Sequence, residues 1–136
     1  MKKTILILSV ILISLSSTFA QTENGKKAKK VKKAQITFEV TEHDFGTMEQ
    51  GSDVSFDFVY KNTGKADLMI QNVKKSCGCT TPEWSKAPLK KKKTEAIHVK
   101  YDSNRLGSFH KTITIYSNAE NSPVVLTIKG QIKKKE

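Results

Sequence analysis

Cys77, Gly78 and Cys79 form the part of the sequence whose residue types point most directly to chemistry. The two cysteines are the only ones in the chain. A disulfide between them would close a very small ring, which adds little stability because the entropic effect grows with loop length. In an extended strand the Cα atoms of residues i and i+2 lie roughly 6.5–7 Å apart, at the edge of the range that a disulfide spans. Bonding therefore requires a bend, which Gly78 permits.

Three interpretations of this cysteine pair stay open. The first is structural, either two small, partly buried thiols or a local disulfide. The second is a labile redox pair, whose thiolates would be favoured by nearby lysines such as Lys75. The third is a metal site, because side chains at i and i+2 of a strand lie on one face and can both reach a soft copper or zinc ion. Such a metal site would use Cys77, Cys79, His98 and His110, provided that the fold brings them together.

The residues after the cysteines extend this segment into a candidate binding loop. Thr80 follows directly, and Trp84 is the only tryptophan. Trp84 either packs over the cysteine segment as a core or rim side chain, or serves as an exposed binding aromatic. The candidate binding residues are Cys77, Gly78, Cys79, Thr80 and Trp84.

Catalytic groups are not apparent in the sequence. The chain has three histidines, and we place His43 in a loop, His98 in the middle of a strand and His110 at a strand start. No Ser-His-Asp arrangement or other nucleophile and base can be assembled from their spacing. We therefore predict a protein that is not an enzyme and uses no cofactor.

The charge of the chain is strongly positive, at +11. A balance of this size favours anionic partners, although it also serves simple solubility. Lysines crowd residues 21–33, which we predict to be a flexible segment because it has too little apolar surface to fold. The run from Lys90 to Lys93 is either a solvated loop or an anion-binding loop, and residues 133–136 form a basic tail.

The first twenty residues have the pattern of a secretory signal peptide. Lys2 and Lys3 precede an apolar run, and small residues lead to a cleavage site after Ala20. We thus expect an exported protein, periplasmic or extracellular, whose mature chain has no transmembrane segment. The expected partner is an envelope protein or an anionic surface polymer and not nucleic acid, and the expected state is a monomer.

In residues 34–132, apolar side chains alternate with polar ones at a period of two, which is typical of half-buried strands. Turn-forming residues separate these runs, and any helix is limited to a short turn near Pro82 to Ser85. The pattern predicts an all-β fold: an immunoglobulin-like antiparallel β-sandwich of about seven strands. A small barrel is the structural alternative.

Several segments, in order along the chain, resemble a known bacterial family. They are Asp44-Phe45-Gly46, Tyr60-Lys61-Asn62-Thr63-Gly64, Ser76-Cys77-Gly78-Cys79-Thr80, Gly107-Ser108-Phe109-His110-Lys111-Thr112-Ile113 and Ser117-Asn118. The chain is similar to the domain of unknown function 1573 family of exported proteins from Bacteroidetes-type bacteria, from about residue 36 to residue 132. The resemblance implies a hydin-type immunoglobulin-like domain. Members usually carry a Pro-Gly turn where this chain has Lys90 to Lys93.

Two functions are compatible with these observations. The first is an exported, non-catalytic immunoglobulin-like domain that binds or scaffolds in the cell envelope. The alternative is a thiol-dependent copper- or zinc-binding or redox protein that acts through Cys77 and Cys79.

Overall fold

Residues 30–136 are described by a computed structural model of the chain. The predicted signal peptide and most of the predicted flexible segment lie outside these residues. Within residues 30–136 the chain forms eight strands and no helix, so none of the described residues forms a helix that could cross a membrane. The strands are β1 (Ile36–Phe38), β2 (Glu42–Glu49), β3 (Ser55–Asn62), β4 (Ile70–Lys75), β5 (Thr80–Glu83), β6 (Thr94–Tyr101), β7 (Gly107–Ser117) and β8 (Val124–Lys133).

The strands form two four-stranded sheets, in the orders β1-β3-β6-β5 and β2-β8-β7-β4. All pairs are antiparallel except β2 and β8, which run parallel, so the second sheet is mixed. The all-β sandwich predicted from the alternating pattern is confirmed, with one strand more than the approximate number expected.

Both strands that the sequence pattern does not reveal are edge strands. β2 contains Gly46 at a positive φ of 64° and changes register between Asp44 and Thr47, which interrupts its alternation. β5 contains Pro82, which is tolerated at a sheet edge because no neighbour needs its missing N–H group. The expected turn at Pro82 to Ser85 is therefore strand in its first half, up to Glu83, and His43 lies on β2 and not in a loop.

The core lies between the two sheets and is made of the inward-facing members of each alternating run. Phe58 and Ile97 from the first sheet are fully buried, as are Ile113, Leu126 and Ile128 from the second. Burial of each such side chain contributes about 1.5–3 kcal/mol, so the two apolar faces account for much of the driving force of folding.

The loops gather at the two ends of the sandwich. One end, called the lysine end below, consists of segments 30–35, 63–69, 84–93 and 118–123; the bridges Ala34–Ala119 and Leu68–Leu89 join these segments in pairs. The other, called the cysteine end, consists of segments 50–54, 76–79 and 102–106. At the cysteine end the N–H of Asp102 donates to the carbonyl of Cys79 at 2.8 Å, and the hydroxyl of Ser103 donates to the carbonyl of Ser52 at 2.6 Å.

Candidate functional site

The cysteine end contains the bend that a disulfide between Cys77 and Cys79 would require. Cys77 and Cys79 are joined by a disulfide, and their Cα atoms are 5.3 Å apart, closer than residues i and i+2 of an extended strand. The chain turns here as it crosses from β4 in one sheet to β5 in the other. Of the three interpretations of the cysteine pair, the local disulfide is the one that this geometry matches.

The two sulfur atoms have different surroundings. Cys79 is buried, with 4% of its surface exposed, whereas Cys77 is only half-buried. The backbone N–H of Cys79 donates to Sγ of Cys77 at 3.3 Å, and the hydroxyl of Thr80 lies 3.8 Å from the same sulfur. A reagent approaching this end therefore meets Cys77 before Cys79.

Trp84 lies beyond β5 along the chain from Cys79 and packs against the core. It follows the last residue of β5, whereas Cys79 precedes the first, so the strand separates the two. Trp84 is half-buried against the core, and its Nε1 is the one buried side-chain nitrogen or oxygen without a hydrogen-bond partner among residues 30–136. The proposed loop is thus divided between the two ends of the sandwich.

The histidines proposed as metal ligands do not join the cysteines. His98 lies on β6 opposite Glu83 and its Nδ1 is 2.6 Å from Oδ1 of Asp57, while His110 lies on β7 in the other sheet. No three His, Cys, Asp or Glu side chains of the described residues are grouped so that they could hold a metal ion. The four-residue metal site is therefore not assembled, because its members belong to different sheets and the sulfur atoms are bonded to each other.

The lysine end concentrates positive charge. Its four segments contain nine lysines and only two acidic residues, Asp67 and Glu120, and all nine lysines are exposed. The remainder of residues 30–136 contains ten basic and ten acidic residues. The net positive charge of residues 30–136 is therefore located entirely at the lysine end, because the charges elsewhere cancel.

Both acidic residues of the lysine end are already paired. Glu120 accepts from Nζ of Lys33 at 2.7 Å, and Asp67 accepts from Nζ of Lys90 at 2.6 Å. The other lysines of this end form no ion pair within residues 30–136; they are Lys30, Lys32, Lys65, Lys86, Lys91, Lys92 and Lys93. Their charge is available to a partner.

Asn62 fixes two of the lysine-bearing segments to each other. This side chain is fully buried at the end of β3, where its Nδ2 donates to the carbonyls of Ala66 at 2.8 Å and Leu89 at 2.9 Å. Its Oδ1 accepts from the N–H of Gly64 at 3.0 Å. One amide therefore holds segments 63–69 and 84–93 in register.

Two further asparagines attach the remaining segments. Oδ1 of Asn118 accepts from the N–H of Met69 at 2.8 Å, and its Nδ2 donates to the carbonyl of Asp67 at 2.9 Å. Asn121 forms an equivalent pair of bonds with both backbone groups of Ile36. The lysines thus project from loops whose backbones are held together by asparagine side chains, through part-buried bonds at Asn121 and exposed bonds at Asn118.

A groove of about 650 Å³ runs between the segment that precedes β1 and the turn after β3. Its lining residues are Lys30, Val31, Lys32, Lys33, Gln35, Thr63, Gly64, Lys65 and Glu120. Gly64 allows the two segments to approach, because a Cβ at this position would lie 2.6 Å from the carbonyl oxygen of Lys33. That oxygen accepts from the N–H of Lys65 at 2.8 Å, so the end of the predicted flexible segment is attached to the sandwich.

The four-lysine run is a tight turn. Lys92 has a positive φ of 66°, a conformation that costs a residue with a side chain roughly 1–2 kcal/mol relative to the right-handed region. Its N–H donates to the carbonyl of Asn62 at 2.8 Å, and the carbonyl of Lys93 accepts from the N–H of Asn62 at 3.0 Å. The turn therefore forms without the Pro-Gly pair and is attached to the same asparagine.

Sequence reasoning identified both lysine runs but not their convergence. The segments extend from residue 30 to residue 123 of the chain, and only the strand order brings them to one end. The signal available in the sequence was the pair Asn62 and Asn118, which stand at the ends of apolar runs within the segments that carry the family resemblance.

Fold and site together define an immunoglobulin-like β-sandwich with two chemically distinct ends, one closed by a disulfide and one covered with lysines. The chain belongs to the family described as "Protein of unknown function (DUF1573)", whose profile matches residues 36–132. No curated protein matches it in sequence.

Solved structures agree with this fold. A protein of unknown function from Porphyromonas gingivalis W83 superposes with a TM-score of 0.64 at 15% identity, covering 72% of this chain and 46% of that one. The ASH / PapD-like domain of human CEP192 gives 0.64 at 9% identity, covering 76% and 89%. The VesB protease of Vibrio cholerae gives 0.57 at 15% identity, but this chain spans only 32% of it. At these identities the likeness concerns the fold alone.

Proposed function

We propose that this protein is an exported, non-catalytic binding domain of the cell envelope that attaches to an anionic partner through its lysine end. The signal-peptide pattern of residues 1–20 supports export. The family to which the chain belongs and its β-sandwich fold are compatible with a binding role, because such sandwiches present variable loops on a rigid frame.

One observation carries the proposal: the net positive charge of residues 30–136 is located entirely at the lysine end. A protein that needs lysines for solubility can distribute them over its surface, whereas segregated charge creates a directed field that attracts and orients an anionic partner. The two acids at this end are paired with Lys33 and Lys90, which leaves the other seven lysines for the partner.

Retention on isolated envelope tests the proposal. Purified residues 21–136 should cosediment with an envelope fraction at low salt and be released as the ionic strength rises, because exposed charges are screened beyond about 8 Å at physiological salt. A chain in which Lys86, Lys91 and Lys93 are replaced by Glu should remain in the supernatant. Equal retention of the two proteins, or no retention of either, would contradict the proposal.

The asymmetry of the two cysteines favours thiol–disulfide exchange as a second candidate function. A thiolate of a partner would attack the more exposed Sγ of Cys77, forming a mixed disulfide, and Cys79 would leave as the thiolate. Replacing Cys79 with Ala should then give a protein that traps a thiol partner through Cys77. If this variant forms no mixed disulfide with glutathione under mildly oxidising conditions, thiol exchange is excluded.

A further inference from the structure

We infer that the groove at the lysine end, continued by the turn at Lys90 to Lys93, binds an extended polyanionic polymer, such as a sulfated or phosphorylated polysaccharide. This inference rests on the proposed binding function and specifies the chemical class of the partner. It depends on the arrangement of the lysines and not only on their number.

The shape of the groove suits an extended anionic chain. Lys30, Lys32 and Lys33 from the segment before β1 and Lys65 from the turn after β3 line the groove. Its one acidic lining residue, Glu120, is paired with Lys33, so the groove keeps an excess of positive charge. A chain with regularly spaced anionic groups can lie along such a groove and meet ammonium groups on both sides.

The groove and the turn at Lys90 to Lys93 adjoin each other. Asn62 bonds to Gly64 in the groove and to Lys92 and Lys93 in the turn, so the two lysine groups are neighbours across one buried residue. Together they form a surface that extends well beyond the size of one phosphate or sulfate. Lysine ammonium groups are point charges on flexible stems and do not form a convergent cradle, which favours recognition of charge density along a chain over recognition of a single small anion.

The groove suits a polymer better than a membrane. A bilayer surface is broad and cannot enter a groove between two chain segments. Peripheral membrane segments usually insert Trp, Phe or Leu side chains beside their lysines. The large exposed apolar side chains of the lysine end are only Val31 and Met69, and its tryptophan, Trp84, is half-buried against the core.

The turn at Lys90 to Lys93 agrees with this role. Lys92 keeps a side chain in a left-handed conformation that glycine adopts without strain. Strained positions of this kind persist where the surrounding structure enforces them, and they cluster at binding sites. A lysine at this position adds a fourth consecutive positive charge to the surface.

The test uses residues 21–136, with dextran sulfate, inorganic sulfate and phosphatidylglycerol vesicles as probes. The groove variant replaces Lys32, Lys65 and Lys91 with Gln. The matched control replaces Lys75, Lys134 and Lys135 with Gln, which changes the net charge equally but lies outside the lysine end. We expect the unmodified protein to bind dextran sulfate with a strong salt dependence and to bind the other two probes at least about tenfold more weakly, because binding of a charged chain releases many counterions at once.

The groove variant should lose about tenfold or more in affinity for dextran sulfate, and the control less than about twofold. Equal losses in the two variants would overturn the inference, since net charge alone would then explain binding. Vesicle binding as tight as polymer binding would assign the surface to lipid instead. Absence of dextran sulfate binding together with salt-sensitive envelope retention would reject the polymer but keep the proposed function.

Discussion

At the scale of single residues, the asparagines of the lysine end matter more than the lysines for its structure. Asn62 is fully buried and uses both ends of its amide on backbone groups of two loops. A buried polar group is tolerated only when its partners are all present, and removing it leaves those partners unsatisfied.

Replacement of Asn62 with Ala should therefore lower the free energy of unfolding by about 3 kcal/mol. Two carbonyls and one N–H group would lose their hydrogen-bond partner, and a buried polar group without a partner costs roughly 1–3 kcal/mol. Urea unfolding followed by fluorescence of Trp84 measures this change. Asn72, which is exposed on β4, provides the control, and its replacement with Ala should change stability by less than about 0.5 kcal/mol. Similar effects of the two substitutions would show that Asn62 does not hold the loops.

Tyr60 should make the free energy of unfolding depend on pH in the alkaline range. Burial raises the pKa of its hydroxyl well above its ordinary value of 10.0, and the negative charge of Glu95 and a hydrogen bond to that carboxylate raise it further. Because the unfolded chain releases this proton first, stability is fully present below pH 10 and falls as the pH rises above that value. The urea midpoint of the wild type should thus fall more between about pH 8 and pH 11 than that of Tyr60→Phe. Parallel falls would contradict the burial of this hydroxyl.

Lys92 offers a substitution that should increase stability. Glycine at this position relieves a left-handed conformation worth roughly 1–2 kcal/mol but loses roughly 0.4–1 kcal/mol through the greater freedom of the unfolded chain. Lys92→Gly should consequently raise the free energy of unfolding by about 0.5 kcal/mol. Lys91→Gly removes the same charge from the same turn without relieving a positive φ, so it should lower stability. A stabilised Lys91→Gly would show that charge repulsion, and not backbone conformation, dominates the turn.

At the scale of elements, the sequence was sufficient for the strands that supply buried apolar side chains to the core and insufficient for the edge strands β2 and β5, which supply none. β3, β6 and β8 alternate apolar and polar residues because one face of each packs between the sheets. In β2 only half-buried and exposed side chains occur and a register shift interrupts the period, so no alternation was visible. The short edge strand β5 is defined by its pairing with β6, which is a tertiary interaction.

The segment before β1 depends on its neighbour in the same way. Gly64→Ala would place a methyl group against the backbone of residues 33–35, so this segment must move and its hydrogen bonds to Lys65 and Ala66 must lengthen. Proteolysis should then cleave after the lysines of residues 30–33 about tenfold faster than in the wild type, because detached segments are cut more readily. Gly78→Ala, whose Cβ would have no neighbour within 4 Å, is the control, and equal cleavage of both variants would contradict the close packing.

At the scale of the whole molecule, the sandwich has two ends of different chemical character, one closed by a disulfide and one rich in lysine. At the cysteine end, the sequence showed that a bond between Cys77 and Cys79 requires a bend, but it did not decide between a disulfide, free thiols and a metal site. The lysine end could not be anticipated, because strand order and three asparagine side chains bring its segments together. The residues of the predicted metal site are not brought together for the same reason: the sequence does not reveal which sheet carries His98 and which carries His110.

Mapping the bound surface by NMR tests this account most directly. Amide shifts of ¹⁵N-labelled residues 21–136 would be followed as solubilised envelope polysaccharide is added at low salt. The account predicts changes confined to residues 30–35, 63–69, 84–93 and 118–123, which disappear when salt is raised. Changes centred on residues 76–79 and 102–106 instead would contradict it and would place the binding surface at the cysteine end.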